Sequence, residues 1–492
     1  MKRVFFHLIL CLITIGYKSC SYAGYMKEQV EVAFKWNRVE FVSLPQPADS
    51  WVGPYRYFIP ENNDIVGLGY HPASGLMVVT LERLRLGVPA TIAAFCVKEY
   101  RFGSNPKFWA FPNFEIQAMR ASDFTSQSRG LSKKSFNQGK NIYNWNSYYE
   151  GIYNGSYHNL YQKPINNYKP TYLEPAILAQ DPSSNDFRII SVYEVMMDEK
   201  CNRAFFLDAG MVQYDNVSTI IQKPAILVYD LPYNGCQTRN FQLIRRVEFP
   251  DDLATMSPYS NFHMTLDFQS NQCDDLYIYV ANFFGHLIVV YDYKRNDFWY
   301  FTGHPSFQPV ASESYIVYDE TLDFLLPVGI YTIALGYRDK NGDRPAYYVA
   351  GASTAQYVVS TKILKDKRKS PTNYNANVFK IKGYRGCFSQ ASKMAVDYTY
   401  GVVFYAELQS RRISCWNVNK PLNPDNIGVI YESDEPFFPL AMFIDSHGYL
   451  WFSSGRVVYL FFTSWPIDLN ENNFNFYRIK VSDAIKGTIC EE

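Results

Sequence analysis

Short apolar runs separated by polar turns recur along the whole chain. From Met264 the sequence reads MTLDFQSNQCDDLYIYVANFFGHLIVVYDY, and from Met394 it reads MAVDYTYGVVFYAELQSRRISCWNV. Each copy holds three apolar runs that are rich in β-branched and aromatic residues and are bounded by Asp, Asn, Gly or Ser. Runs of about four to seven such residues are typical of strands rather than helices. Each copy is therefore predicted to form a small antiparallel sheet.

The copies follow one another at intervals that suit a ring of sheets. The turn after the first run recurs every 48 to 69 residues, at Asp198, Asp267, Gly336, Asp397 and Asp445. A further copy lies upstream, around Tyr70. A single small sheet cannot bury both faces, whereas sheets stacked around an axis can. The pattern predicts an all-β fold, a six-bladed β-propeller, with five or seven blades or a β-sandwich as the alternatives.

The two ends of the chain depart from the repeat. Residues 1–23 begin with basic residues, continue with an apolar stretch and end with small residues, which is the pattern of a secretory signal peptide. No later run approaches the roughly 20 apolar residues of a transmembrane helix. We therefore expect residues 24–492 to form one secreted, extracellular propeller domain without a membrane segment. The strand-like C-terminal segment Phe474–Val481 is expected to complete an earlier sheet.

The repeat is interrupted between residues 121 and 186, where Ser, Asn, Lys, Gly and Tyr predominate. So few aliphatic residues cannot offset the entropy of ordering the chain, so a long disordered insertion in a loop is predicted. Its eight tyrosines from Tyr143 to Tyr172 would then be accessible for oxidative coupling, with a neutral insertion as the alternative. Two glycosylation sequons begin at Asn154 and Asn216.

Charge and cysteine content narrow the class of protein. The 47 acidic and 47 basic residues balance, so nothing indicates a nucleic-acid partner. Seven cysteines follow the predicted signal peptide, and in an oxidising compartment they are expected to form disulfides. Pairs within one predicted sheet would be Cys201 with Cys236 and Cys387 with Cys415, although spacing alone does not determine connectivity.

Polar side chains recur just after the second apolar run of the copies, where a propeller directs side chains toward its central cavity. The aligned candidates are Thr80, Asp208, Asn282, Glu407 and Ser453, with Glu82 beside the first. Such a ring suits a small cationic ligand or a hard metal ion bound through oxygen. Each residue alone is more typical of a strand end. No motif of a hydrolase, zinc protease or nucleotide-binding loop accompanies them, and no cofactor is expected.

Several stretches resemble the Yellow and major royal jelly protein family of insects. They include YFIPENNDIVGLGY from Tyr57, LGVPATIAAF from Leu86, SVYEVMMDEKCNRAFFLDAG from Ser191 and ISCWN from Ile413. The resemblance implies a secreted six-bladed propeller. It also implies a role in pigmentation or hardening of cuticle or eggshell, in nutrition, in binding biogenic amines, or in dopachrome conversion. The chain departs from the family at Gln222-Lys223-Pro224, where Cys-Pro-Pro is usual, and at Ala209, where a hydroxyl residue is usual.

Three functions are open at this point. In a binding or matrix protein, Asp208 or Glu407 would pair with the ammonium of an aromatic amine or catechol ligand, Asn282 would bond ring hydroxyls, and Phe283 would stack on the ring. Extracellular matrix proteins are further possible partners. In a dopachrome-converting enzyme, the same carboxylates would transfer a proton. In a calcium-dependent, lactonase-like propeller, Glu407, Asn282 and Asp208 would be metal ligands.

Overall fold

The computed structural model describes most of the chain. The described residues are 29–45, 57–119, 123, 177–178, 187–214, 217–256, 261–318, 322–433, 437–463 and 466–491. The predicted signal peptide, nearly all of the predicted insertion 121–186, and both sequon residues Asn154 and Asn216 lie outside them. In the described part, no helix has the length and apolar character needed to cross a membrane.

Six four-stranded antiparallel sheets form a β-propeller, as the repeat predicted. The first strands of successive sheets contact one another and so surround the axis. From the axis outward, the strands of blade 1 are Ile65–His71, Leu76–Leu81, Ile92–Cys96 and Trp109–Ala110; of blade 2, Val192–Asp198, Arg203–Asp208, Ala225–Asp230 and Leu243–Glu248; of blade 3, Asn261–Phe268, Leu276–Asn282, Leu287–Asp292 and Asp297–Phe301. Those of blade 4 are Ile330–Leu335, Pro345–Ala350, Ala355–Ser360 and Lys380–Tyr384; of blade 5, Ala391–Asp397, Val402–Glu407, Arg412–Asn417 and Ile427–Glu432; of blade 6, Met442–Ile444, Tyr449–Ser454, Phe474–Lys480 and Glu31–Trp36.

The ring is closed by the N-terminal strand. Glu31–Trp36 pairs with Phe474–Lys480, which itself pairs with Tyr449–Ser454. The expectation that the C-terminal strand completes an earlier sheet was wrong, because this strand is the third strand of the last blade and the N-terminal strand is added outside it. Trp36 accounts for the difference, since its buried ring packs against Phe476 at 4.7 Å and its indole NH donates to the carbonyl of Pro106.

Apolar faces of adjacent blades form the core. All six residues of Leu287–Asp292 and of Val402–Glu407 are buried, because blades pack on both faces of these strands. A strand buried on both faces loses the alternation of apolar and polar residues and becomes a continuous apolar run. This explains why the sequence repeat consists of short apolar runs.

The described disulfides join different blades. Cys96 bonds Cys236 between blades 1 and 2, and Cys201 bonds Cys273 between blades 2 and 3. Cys415 of blade 5 bonds Cys490, which follows the last strand of blade 6. The predicted pairs of Cys201 with Cys236 and Cys387 with Cys415 were therefore wrong. The blades are packed side by side, so the turns of successive blades lie within disulfide-bonding distance. This arrangement favours bridges between sheets over bridges within one sheet.

Smaller elements lie outside the six four-stranded sheets. Ile177–Leu178, Met211–Tyr214 and Val217–Ile220 form one small sheet, and Tyr315–Val317 pairs with Asp323–Leu325 in a hairpin. Among the described residues, the α-helices are Gly235–Thr238, Asp251–Met256, Thr361–Leu364, Val457–Phe462 and Val481–Ile485. The described 3-10 helices are Pro60–Asn62, Val97–Glu99, Glu115–Gln117, Pro305–Phe307, Ala311–Glu313, Lys367–Lys369, Ala376–Val378 and Pro424–Asn426. The hairpin and the helix Val457–Phe462 pack together, with Phe324 stacked on Phe462 at 4.2 Å.

Candidate functional site

Three of the predicted site residues occupy equivalent positions in the ring. Asp208, Asn282 and Glu407 are each the last residue of the second strand, opposite the first residue of the innermost strand. Thr80 and Ser453 lie one residue before the end of that strand in blades 1 and 6. Because successive side chains of a strand point to opposite faces, Thr80 and Ser453 face the other side of their blades.

The two predicted carboxylates are buried and already hold several donors. Asp208 accepts from the backbone NH groups of Ile190, Ser191 and Gly210 at 2.9 to 3.0 Å. Burial raises the pKa of Asp208, and these backbone donors partly offset the increase. Glu407 accepts from Arg412 at 2.5 Å and also from the hydroxyls of Ser410 and Ser414. Both carboxylates therefore hold their own blades together.

The other predicted polar residues also hold hydrogen bonds within the protein. The Asn282 side chain accepts from the NH of Gly285 at 2.7 Å, and Thr80 donates to the carbonyl of Tyr193 at 3.0 Å. Ser453 accepts from the NH of Ala441 at 3.2 Å. Phe283 has a different setting, because its ring packs against Tyr331 of blade 4 at 5.4 Å. Phe283 thus adjoins the residues on the axis.

A second set of equivalent residues lies on the innermost strands. In blades 1 to 5 this strand carries a bulge near its start, and the residues directly after the bulge are Gly67, Glu194, His263, Thr332 and Lys393. A bulge bends its strand and re-aims the neighbouring side chain. Three ionisable side chains from different blades are thereby directed toward one another.

Glu194, His263 and Lys393 form a buried cluster across the axis, which we call the axial cluster. The Lys393 ammonium pairs with the Glu194 carboxylate and donates to Nδ1 of His263 at 3.0 Å. Nε2 of His263 lies 3.0 Å from the carbonyl oxygen of Ile333, which can only accept, so we assign the proton to Nε2. Blades 2 and 5 are opposite in a ring of six. The Glu194–Lys393 pair therefore spans the axis.

Burial and charge together set the protonation of the axial cluster. Burial acts to raise the pKa of Glu194, but the Lys393 ammonium acts against it, and that pKa lies below its ordinary value. Burial and the neighbouring ammonium both lower the pKa of His263. Burial also lowers the pKa of Lys393, against the attraction of Glu194. We conclude that the cluster is an ion pair with a neutral histidine, in which each charge has an opposite partner.

Blade 1 adds two buried carboxyl groups, Asp64 and Glu82, which we call the acidic pair. Asp64 directly precedes the innermost strand and Glu82 directly follows the second strand, and they are 2% and 3% exposed. Asp64 Oδ1 and Glu82 Oε2 are buried without a hydrogen-bond partner. Burial raises the pKa of Asp64 to about 8. Burial and the charge of Asp64 raise the pKa of Glu82 well above its ordinary value.

Tyr331 connects the acidic pair with the axial cluster. It lies on the innermost strand of blade 4, opposite blade 1 in the ring. Burial raises the pKa of its phenol, and the carboxylates of Glu82 and Glu194 raise it further. The buried ring of Tyr331 thus lies near carboxyl groups from two other blades and packs against the buried ring of Phe283. These groups have the chemistry to contact a molecule that is both aromatic and cationic.

Sequence reasoning missed Asp64 and the axial cluster, although it named Glu82 and Phe283. A signal was present, because Glu194, His263 and Lys393 each lie four residues before an Asp at or next to the end of the innermost strand. Each is a polar residue within an otherwise mostly apolar run. Among the described residues, no group of three or more His, Cys, Asp or Glu side chains is arranged to hold a metal ion.

The fold and the axial groups define a class, a six-bladed β-propeller with buried ionisable side chains on its axis. The family model described as major royal jelly protein matches residues 190–490. The chain therefore belongs to the Yellow and major royal jelly protein family, as its motifs indicated.

Named relatives come from sand flies and from a fruit fly. The chain is similar to the Yellow-related salivary protein ASP4 of Phlebotomus orientalis, at 36% identity over 64% of this chain and 76% of that protein. It is similar to the Yellow-related salivary protein SP03 of Phlebotomus perniciosus, at 34% identity over 64% of this chain and 77% of that protein. It is also similar to the L-dopachrome tautomerase yellow-f of Drosophila melanogaster, at 28% identity over 64% of this chain and 71% of that protein.

Proposed function

We propose that this protein is a secreted Yellow-family protein that binds a small aromatic amine or catechol on the propeller axis. The observation that carries the proposal is the meeting of Glu82 with Tyr331 and Phe283, from three different blades. Carboxylates supply the counter-charge for an ammonium, and aromatic rings supply an apolar face for the ligand ring. Similarity to salivary proteins supports secretion.

The structure favours different recognition residues from those predicted from sequence. Asp208 and Glu407 are occupied by backbone and arginine donors, so they are poorer partners for an ammonium than the acidic pair. Phe283 keeps its proposed role beside the ligand ring, because it packs against Tyr331. Asn282, Thr80 and Ser453 would then act indirectly, by holding the strand ends that carry these groups.

Calorimetric titration of the purified protein with dopamine and serotonin tests the binding proposal. We expect saturable binding that weakens at least tenfold in Phe283→Ala, because the aromatic contact is lost. Leu243→Ala, which truncates an exposed apolar side chain on the outer strand of blade 2, is the matched control and should bind normally. No heat of binding with either amine would contradict the proposal.

A dopachrome-converting activity is the second candidate, favoured by the axial cluster. Glu194, His263 and Lys393 are acid and base groups in one buried network, as a proton transfer requires. Similarity to yellow-f supports the same activity. The test is loss of the visible absorbance of dopachrome on incubation with the protein. Turnover that is lost in the double variant Glu194→Gln with Lys393→Met, shown to be folded by urea unfolding, would support the enzyme, and saturable binding of dopachrome without turnover would reject it.

A further inference from the structure

We infer that Asp64 and Glu82 form the subsite for the ligand's ammonium group and that one proton leaves the pair when the ammonium binds. This inference rests on the proposed binding function and identifies the residues that recognise the amine. It concerns an organic ammonium, not a metal ion.

Unsatisfied hydrogen-bonding capacity is the first argument. A buried carboxyl oxygen without a partner costs about 1–3 kcal/mol, so native proteins rarely leave one. Here two such oxygens, Asp64 Oδ1 and Glu82 Oε2, belong to neighbouring groups. An ammonium carries three N–H donors and a positive charge, so it can satisfy both oxygens at once. The pair is thus complementary to a primary amine.

Among the described residues, Arg456 is the cation that acts on Asp64. Asp64 Oδ2 accepts from the backbone NH of Arg456 at 3.0 Å, while the Arg456 guanidinium pairs with Glu471 at 3.4 Å. Tyr318 faces Asp64, and burial raises the pKa of its phenol, so that phenol is neutral. Tyr331 faces Glu82 in the same way. In the part of the chain that the structure describes, the groups facing the pair are therefore one arginine, two neutral phenols and the partner carboxyl.

The backbone at Gly455 packs closely against the pair. A Cβ atom at Gly455 would lie 2.8 Å from Asp64 Oδ1, closer than real Cβ contacts, so only glycine lets the backbone lie this close to the buried oxygen. Gly455 directly follows the second strand of blade 6. Alanine at this position would crowd the oxygen without removing either carboxyl group. The substitution therefore blocks the subsite and keeps both titratable groups.

Proton release follows from the charge balance. With a pKa of about 8 for Asp64 and a raised pKa for Glu82, the empty pair holds protons at pH 7. A bound ammonium favours the ionised form, so the complex is R–NH₃⁺ with a carboxylate and the displaced proton goes to solvent. Affinity then rises with pH up to about 8, by at most about tenfold per pH unit for one proton.

The experiment compares tyramine with 4-ethylphenol, which has the same ring without the ammonium. Calorimetry at pH 6, 7 and 8, in phosphate and in Tris, measures both affinity and protons released. For the wild-type protein we expect tyramine to release about one proton and to bind more tightly as pH rises. The affinity for 4-ethylphenol should not depend on pH, because no cation enters the pair.

Three variants assign the effect to the subsite. Glu82→Gln, Asp64→Asn and Gly455→Ala should each weaken tyramine at least tenfold and leave 4-ethylphenol unchanged. Glu471→Gln is the matched control, because it removes a largely exposed carboxylate that pairs with Arg456 outside the pair. Thermal unfolding confirms that each variant is folded, and the wild-type proton count tests the inference without any variant.

The possible outcomes separate this inference from the proposed function. If neither probe binds, the binding function fails. If tyramine binds without proton release and equally well to Glu82→Gln and Asp64→Asn, the function stands and the subsite is wrong. If Ca²⁺ binds to the wild-type protein but not to Glu82→Gln, and tyramine does not bind, the pair is a metal site and the inference is overturned.

Discussion

At the scale of single residues, the axial cluster shows how burial makes charged side chains depend on one another. Lys393 and Glu194 are 2% and 6% exposed, so each charge lacks water and relies on its partner. Removing one partner of a buried pair leaves an uncompensated charge, which is more harmful than removing both. Replacing one member of the ion pair is therefore expected to destabilise the protein more than replacing both members.

Lys393→Met is expected to destabilise the protein by about 3–5 kcal/mol, because it leaves the Glu194 carboxylate buried and unpaired. The double variant Glu194→Gln with Lys393→Met should recover most of that loss. Urea unfolding measures both. Lys367→Met, which removes an exposed pair with Asp297, is the control and should cost less than about 1 kcal/mol. A double variant no more stable than Lys393→Met would contradict the argument.

At the scale of elements, the outer strand of blade 6 determines whether the ring is closed. Glu31–Trp36 comes from the start of the described chain and pairs with a strand from its other end. Its buried residues Phe34 and Trp36 pack against Phe95, which belongs to blade 1. The strand therefore joins blade 6 to blade 1 through side chains as well as through its own ladder.

Trp36→Ala should lower the free energy of unfolding by about 3–5 kcal/mol, the usual cost of truncating a large buried side chain. Lys35→Ala, in the same strand but exposed, should have little effect. The difference in melting temperature between the two variants is the measurement. Equal melting temperatures would show that this strand does not contribute to closure.

At the scale of the whole molecule, disulfides between blades stabilise the ring. The bridge from Cys201 to Cys273 closes a loop of 72 residues, and that from Cys415 to Cys490 closes one of 75. In the chain-entropy account, loops of this length give about 4 kcal/mol of stabilisation each. They act mainly by limiting the unfolded chain.

Peptide mapping of the unreduced protein should find Cys96 linked to Cys236, Cys201 to Cys273, and Cys415 to Cys490. Replacing Cys201 and Cys273 by serine should lower the stability by up to about 4 kcal/mol, measured by thermal unfolding. Substitution of the exposed pair Ser270 and Ser446 by alanine is the neutral control. A peptide that links Cys201 to Cys236 would contradict the inter-blade arrangement.

The repeat itself was readable from the sequence, because each strand needs a local pattern of residues. Apolar runs marked the strands, and Asp198, Asp267, Asp397 and Asp445 lie at or next to the ends of innermost strands. These aspartates also have a local reason to recur, since Asp397 and Asp445 accept backbone NH groups of the turns that follow them. Local hydrogen bonding of this kind favours particular residue types at neighbouring positions in the chain.

By itself, the sequence determined the six-fold repeat, the strand runs and the family, since all of these depend on residues close together along the chain. Only the tertiary structure decided which distant residues meet. Lys393 and Glu194 are 199 positions apart, and they pair because their blades face each other across the axis. Which blades are neighbours likewise determined the cysteine partners and the strand that closes the ring. The physical reason is that closing the ring brings together groups whose separation in the chain carries no local signal.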